Sequence, residues 1–237
     1  MVTYIYKGGT IVSISDNINK IVNEIPKGVK LLAVSKTKPL EDMEEAYNSG
    51  IRDFGENKVQ EIMKKEELFH KDVRWHLIGK LQTNKVKYIV GKVYLIHSLS
   101  SVKLLEKIEK EYSKADLVAN VLIQINIGRE ESKSGILLEE LNDIIEKIEN
   151  CKYVKVKGIM VIIPKGDDES NRKYFKETKK IFDDLKNNKF KNITMEILSM
   201  GMTHDYKIAI EEGSNLVRIG EGIFGKRDYI QGGNYSE

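Results

Sequence analysis

Two lysines follow directly after a short apolar segment in the first fifth of the sequence. Leu31 to Ser35 has the composition of a buried strand in a parallel sheet, and Lys36 and Lys38 come next, before Pro39. A lysine at the end of such a strand is either an ordinary solvated loop residue or a nucleophile whose amine condenses with an aldehyde. The segment alone leaves both interpretations open.

Two glycine-containing turns near the carboxyl terminus, LSMGMTHD and RIGEGIFG, have the composition of an anion-binding site. Backbone N–H groups in such turns can bind a phosphate, hydroxyl side chains add hydrogen bonds, and glycine lets a ligand approach the main chain closely. The residues of interest are Gly201, Gly220, Gly222, Ser199 and Thr203. The alternative is that these glycines serve only as turn or helix-cap residues.

Other residues that carry chemistry do not form a recognisable motif. The four histidines are scattered, so structural or solvated roles are favoured over a metal site: His70, His76, His97 and His204. Three acidic residues near the second predicted strand are candidates for acid/base chemistry, although acids at a helix start commonly serve the helix dipole: Asp53, Glu56 and Glu61.

Eight short apolar segments alternate with amphipathic segments along the chain. The predicted strands cover residues 31–35, 51–55, 74–79, 93–98, 119–126, 157–162, 194–199 and 216–220. Seven predicted helices lie between them, and an extra helix precedes the first strand, with Ser15 and Asp16 as candidate caps. We predict an α/β protein with a closed (β/α)8 barrel, and an open doubly wound sheet is the alternative.

In such a barrel, the loops that follow the strands meet at one end, where active sites lie. The first strand closes against the eighth, so Lys36 is expected at the same mouth as the two glycine turns. An amine beside a phosphate-binding turn suits an aldehyde whose phosphate group is anchored nearby.

The composition is that of a soluble globular protein. The 237 residues are 41% hydrophobic and 32% charged, and we expect residues 1–237 to form one domain. The net charge of +3 gives little attraction for nucleic acid, and we recognise neither a signal peptide nor an apolar run of membrane-spanning length. A single cysteine, Cys151, suits a reducing compartment, so we expect a cytoplasmic protein.

Eight motifs occur together in a distinctive order between Leu31 and Tyr229. They are AVSKTKP, FGENKVQE, WHLIGKLQTNK, IHSL, INIGREESKSG, GIM, LSMGMTHD and VRIGEGIFGKRDY. Each motif is weak alone, but the combination resembles the pyridoxal phosphate (PLP) homeostasis protein family, whose members are related to the amino-terminal barrel of alanine racemase. The resemblance implies a single TIM barrel of that type, with pyridoxal 5′-phosphate as its cofactor.

The resemblance also implies which residues bind the cofactor. Lys36 matches the lysine that forms the Schiff base, and Arg218 matches the arginine that faces the pyridine nitrogen in the racemase relatives. The remaining matches are the two turns and two polar residues near the pocket mouth: Ser199, Met200, Gly201, Thr203, Gly220, Glu221, Gly222, Asn57 and His76. Glu221 stands where the family usually has a smaller residue, so its contact is expected through the main chain only.

A binding protein rather than an enzyme is implied by the same resemblance. Arginine keeps its proton and leaves the pyridine ring a poorer electron sink than a carboxylate partner would. The second domain and the partner-subunit tyrosine of the racemases have no counterpart after this barrel, so no catalytic residue is assigned.

We therefore expect a monomer that binds PLP, takes part in its intracellular homeostasis and passes it to PLP-dependent apoenzymes, without metal, nucleic acid or membrane. Two enzyme classes are the alternatives: a weak PLP-dependent racemase, and a class I aldolase. Such aldolases usually carry their lysine later in the barrel, so the position of Lys36 after the first strand argues against one.

Overall fold

The computed structural model describes residues 13–226, which form eight strands connected by helical segments. The strands are β1 Lys30–Val34, β2 Asp53–Glu56, β3 Arg74–Leu77, β4 Leu95–Leu99, β5 Ala119–Ile125, β6 Val154–Val161, β7 Ile193–Ser199 and β8 Leu216–Ile219. The α-helices are α1 Ile14–Glu24, α2 Leu40–Asn48, α3 Val59–Leu68, α4 Val102–Ser113, α5 Leu141–Glu149, α6 Asp168–Lys186, α7 Tyr206–Glu211 and α8 Glu221–Phe224. Two 3-10 helices span Thr83–Tyr88 and Leu138–Glu140.

The eight strands are parallel, pair in chain order and close into a barrel. Closure occurs where β8 pairs with β1, with Leu31 opposite Val217 and Leu32 opposite Arg218. The predicted (β/α)8 barrel is confirmed, and the open sheet is wrong. One domain over residues 1–237 stays a prediction, because residues 1–12 and 227–237 lie outside the described part, together with the final RDY of the last motif.

The strands are apolar on both faces because helices cover one face and the barrel interior covers the other. In β5, Ile123 and Ile125 belong to the main core, whereas Leu122 packs with Leu95 and Met160 in a separate apolar cluster. All five side chains are at most 1% exposed. Full burial of such a side chain stabilises the fold by about 1.5–3 kcal/mol. Because alternate side chains of β5 enter the two clusters, both faces of the strand contribute to this stabilisation.

The N-cap of the extra amino-terminal helix, α1, lies two residues before the first cap residue predicted for it. Ser13 is the N-cap, and its hydroxyl accepts the N–H of Asp16 while the Asp16 carboxylate accepts the N–H of Ser13. Ser15 is not a cap; its N–H donates to the carboxylate of Glu45 in α2. The side chain of Asn17 donates to the carbonyl of Ile223, which joins α1 to α8.

Two helical segments differ from the prediction. The segment after β3 forms a 3-10 helix. The short α8 after β8 was not predicted, because residues 220–225 contain three glycines. Within residues 13–226, no helix combines the length and apolar character needed to cross a bilayer.

Candidate functional site

A cavity of about 760 Å³ opens at the carboxyl ends of the strands. Residues at the ends of six strands contribute to its wall: Val34, Asn57, Gly79, Gln124, Ile162 and Gly220. Gly79 is required for close packing here, since a Cβ at this position would lie 2.3 Å from the carbonyl oxygen of Asn57. The cavity is therefore where a (β/α)8 barrel places an active site.

The wall of this cavity is strongly cationic. Its cations are Lys36, Lys38, Lys80, Lys133, Arg218 and Lys226, and its acidic side chain is Glu221. This local excess contrasts with a net charge of only +3 over the whole chain. Low-dielectric walls lined by one sign of charge favour a ligand of the opposite sign, so the cavity suits an anion.

The two lysines after β1 both line the cavity. The ammonium of Lys38 donates to the carbonyl oxygen of Phe224 at 2.8 Å and lies 4.0 Å from the carboxylate of Asp42. Phe224 is the last residue of α8, so Lys38 ties the loop after β1 to the end of that helix. The Schiff-base role of Lys36 remains a prediction.

A buried ion pair supports the strand end from which Lys36 projects. Glu56 at the end of β2 is fully buried and accepts hydrogen bonds from the Ser35 hydroxyl at 2.6 Å and the Lys65 ammonium at 2.7 Å. Lys65 also donates to the carbonyl of Ser35 at 2.9 Å. Burial raises the pKa of Glu56 to about 7, against the opposing effect of Lys65.

Thr37, the residue after Lys36, has a left-handed backbone with φ +65°. A non-glycine residue in this region costs roughly 1–2 kcal/mol, so surrounding contacts must hold it. Its N–H donates to the carboxylate of Glu61 in α3 at 2.8 Å. Glu56 and Glu61 therefore support the loop that carries Lys36, and the helix-dipole interpretation does not explain Glu56, which lies in a strand.

The glycine turns after β7 and β8 are hydrogen-bonded to each other. Thr203 lines the cavity, and its hydroxyl oxygen accepts the N–H of Gly222 at 3.2 Å. Gly201 has φ +95°, and a Cβ there would lie 2.7 Å from the side chain of Ala209. Gly220 and Glu221 also line the cavity, whereas Met200 and Gly201 are buried behind it. Phosphate binding by these turns stays a prediction.

Arg218 lines the cavity but is only 4% exposed. Its guanidinium donates to the Ser199 hydroxyl at 2.7 Å and to the Val161 carbonyl at 2.8 Å. Burial lowers the pKa of Arg218 to about 10, with Asp205 acting in the opposite direction, so the side chain remains a cation at neutral pH. Ser199 is fully buried, and its hydroxyl faces the barrel interior rather than the lining of the cavity.

Two histidines extend this contact through the interior of the barrel. His97 Nδ1 lies 3.2 Å from the Ser199 hydroxyl, and His97 Nε2 lies 2.9 Å from His76 Nδ1. His76 Nε2 contacts the Asp53 carboxylate at 2.9 Å, and Asp53 also accepts from Arg74. His76 is thus in the interior, two residues removed from Arg218, and its predicted cofactor contact stays a prediction. The buried, hydrogen-bonded positions of His76 and His97 agree with the structural role that the sequence favoured over a metal site.

Among residues 13–226, no cluster of three or more histidine, cysteine or acidic side chains is arranged to hold a metal ion. Sequence reasoning missed several cavity residues, among them Lys80, Gln124 and Lys133. For Gln124 a signal existed, because it interrupts the apolar strand β5 at an inward-facing position. Its amide donates to the Ser134 carbonyl at 2.8 Å and thereby fixes the loop that carries Lys133.

Comparison with known proteins gives a consistent set of relatives. The family model for the alanine racemase N-terminal domain matches residues 11–228. The pyridoxal phosphate homeostasis protein of Aquifex aeolicus (strain VF5) is 46% identical over 202 residues, covering 84% of this chain and 88% of the relative.

Solved structures agree with these relatives. The structure of PipY from Synechococcus elongatus PCC7942 with PLP bound has a TM-score of 0.83 and 30% identity, and the match covers 90% of this chain and 100% of PipY. Alanine racemase of Clostridium difficile 630 has a TM-score of 0.73 at 16% identity, covering 91% of this chain and 57% of the racemase, which shows a shared fold alone. The chain therefore belongs to the pyridoxal phosphate homeostasis protein family, within the larger family of the alanine racemase N-terminal domain.

Proposed function

We propose that this chain binds PLP in the cavity at the carboxyl end of the barrel, with Lys36 as the Schiff-base lysine, and takes part in PLP homeostasis. The observation that carries the proposal is the cationic cavity itself, which Lys36, Arg218 and Thr203 all line. Its relatives support the assignment, because the Aquifex aeolicus protein is named for PLP homeostasis and PipY has been solved with PLP bound.

The residues present fit this cofactor. Bound PLP supplies an aldehyde that condenses with an amine with loss of water, and an aromatic ring that can accept electrons. The Nζ of Lys36 provides the amine, and the turns containing Thr203 and Gly220 provide hydroxyl and backbone groups suited to the phosphate. The five lysines and one arginine on the wall offset the charge of an anionic ligand.

Binding without turnover is the form of the function that we favour. Arg218 stays charged and has no acceptor atom, so it can only donate to an unprotonated ring nitrogen and does not assist carbanion chemistry. The proposal also includes delivery of PLP to PLP-dependent apoenzymes, a monomeric state and a cytoplasmic location. The name of the Aquifex aeolicus relative supports the role in PLP homeostasis.

Titration of the purified protein with PLP tests the proposal. We expect a visible absorbance band in the wild type that Lys36→Ala abolishes, while weak non-covalent binding remains through the phosphate contacts. Lys38→Ala is the matched control, because Lys38 lines the same cavity and lies two residues after Lys36. An undiminished band in Lys36→Ala, or its loss only in Lys38→Ala, would show that Lys36 is the wrong lysine.

A further inference from the structure

A continuous chain of hydrogen bonds crosses the barrel interior from the cavity to the opposite end. It starts at Arg218, passes through Ser199, His97 and His76, and ends at Asp53, the first residue of β2. The middle three residues are at most 2% exposed. The Asp53 side chain is 17% exposed, so the far end of the chain reaches solvent.

The ionised state of Asp53 determines which atom carries the proton in each hydrogen bond of this chain. Arg74 donates to both carboxylate oxygens of Asp53, at 2.7 and 2.5 Å. Burial opposes ionisation of Asp53, but the hydrogen bonds from Arg74 and His76 outweigh it and hold its pKa below the ordinary value. An ionised carboxylate has no proton to give, so the ring nitrogen of His76 that faces it must donate.

Each following link is then determined by the previous one. Burial lowers the pKa of both His76 and His97, which keeps both rings neutral at neutral pH. A neutral His76 that donates from Nε2 presents Nδ1 as an acceptor, and His97 must donate to it from Nε2. His97 Nδ1 is therefore an acceptor, and the Ser199 hydroxyl is the group placed to donate to it.

This order leaves the Ser199 oxygen as an acceptor for Arg218. Guanidinium nitrogens only donate, so a serine whose proton is committed to His97 is a well-matched partner. The second bond, to the Val161 carbonyl, fixes the plane of the guanidinium. Two of its five N–H donors are used in these bonds, while Arg218 lines the cavity.

We propose that Asp53, His76 and His97 are positioning residues, which act through Ser199 to fix the orientation in which Arg218 meets the ligand. The inference rests on the proposed function, because PLP is the ligand used to probe it. None of the three lines the cavity, so an effect of changing them on bound PLP is indirect.

Four variants test this proposal. His97→Leu removes both links of the histidine, and His97→Gln offers an amide oxygen and an amide N–H in their place. Asp53→Asn removes the charge that orders the protons, at nearly constant volume. Asp72→Asn is its matched control, because Asp72 is also an ion-paired aspartate, bonded to Arg52 at 2.8 Å outside the chain.

Two readouts separate this proposal from the proposed function. Without ligand, ring-nitrogen NMR should show His76 and His97 neutral and protonated at Nε2, and Arg218 Nε–H exchange should be faster in His97→Leu than in the wild type. With PLP, His97→Leu should bind roughly tenfold more weakly, with a shifted absorbance band. Asp53→Asn should weaken PLP binding by roughly threefold and shift the absorbance band in the same direction as His97→Leu does. The affinity and spectrum of His97→Gln and Asp72→Asn should stay near those of the wild type.

The outcomes are distinct. The proposal would be overturned if folded His97→Leu and Asp53→Asn kept the wild-type PLP affinity, absorbance spectrum and Arg218 Nε–H exchange. It would also be overturned if His76 or His97 were cationic or protonated at Nδ1 in the ligand-free protein. If His97→Leu does not fold, Asp53→Asn decides. If the wild type does not bind PLP, the proposed function fails, and Arg218 exchange with the ring-nitrogen spectra still decides whether the chain holds Arg218.

Discussion

Arg218 is a buried cation that is balanced mainly by neutral oxygen acceptors. The Ser199 hydroxyl and the Val161 carbonyl each accept one of its N–H groups, and Asp205 contributes by electrostatic attraction. Taking a charge out of water is costly unless such bonds replace its hydration. The fork shape of the guanidinium allows both bonds at once, and a lysine ammonium does not match this geometry.

Arg218→Lys should therefore destabilise the protein although the charge is kept. We expect the free energy of unfolding in urea to fall by about 1–3 kcal/mol, because a buried acceptor loses its partner. Arg172→Lys is the control: Arg172 pairs with Glu211 and Glu212, its side chain is 39% exposed, and the expected change is below about 1 kcal/mol. Equal losses in both variants would contradict the importance given to the buried fork.

At the scale of elements, β1 and its following loop are held by β2 and α3. The contacts come from Glu56 and Lys65, which bond to Ser35, and from Glu61, which bonds to Thr37. These bonds flank Lys36 on both sides in the sequence. A strained loop held in this way restricts where the lysine amine can lie, which favours reaction with a ligand in a fixed position.

Lys65→Met should destabilise the protein in a pH-dependent way. Without Lys65, the buried Glu56 loses its counter-charge, which costs about 3–5 kcal/mol when the carboxyl is ionised. The pKa of Glu56 is already raised in the folded state, so the folded chain keeps a proton that the unfolded chain loses above pH 4.5, and stability falls as pH rises.

The stability deficit of Lys65→Met should accordingly be larger at pH 8 than at pH 5.5 in urea unfolding. Lys71→Met, at a lysine that is 70% exposed in its pair with Glu66, should change stability by less than about 1 kcal/mol at either pH. A deficit in Lys65→Met that shrinks toward high pH would contradict this account of the ion pair.

The strands and helices are the features of this protein that its sequence predicts best. All eight strands were placed within a few residues, because runs rich in valine and isoleucine between amphipathic segments are typical of a parallel barrel. The errors lie at an element end and in a short helix: the cap of α1 is Ser13 rather than Ser15, and α8 was missed. Caps and single turns depend on side-chain contacts that periodicity does not reveal.

At the scale of the whole molecule, closure of the barrel creates what local sequence could not show. The hydrogen bonds of the interior chain join residues that are 19 to 102 positions apart, so local sequence does not show that His97 and Asp53 belong to one connected chain. The cationic cavity likewise gathers lysines from separate loops. Lys36 and Arg218 were assigned from their motifs. Supporting residues such as Glu56 and His97 also lie in motifs, but the sequence does not reveal which residues they contact.

The buried histidines make the stability of the whole barrel sensitive to acid. The pKa of His97 is lowered well below 6.5, mainly by burial and further by electrostatic repulsion from His76 and Arg218. Below pH 6.5 the unfolded chain binds a proton there that the folded chain does not, so stability falls as pH falls. Each such histidine contributes at most about 1.4 kcal/mol per pH unit.

Between pH 6 and pH 5, the wild type should therefore lose about 1 kcal/mol more than His97→Gln in the free energy of unfolding by urea. Other titrating groups remain in both proteins, so the difference between their slopes reports His97. His204→Gln, whose side chain is 82% exposed, is the control. Parallel pH profiles for the wild type and His97→Gln would be inconsistent with a neutral buried ring.

The measurement that tests the central claim most directly is the position of the covalent adduct. The protein is mixed with PLP, reduced with borohydride, digested and mapped by mass spectrometry. The cavity geometry and the family membership together predict one dominant adduct, on Lys36, at the end of β1. A dominant adduct on Lys38 or on any other lysine, or no adduct in a folded protein, would contradict the claim.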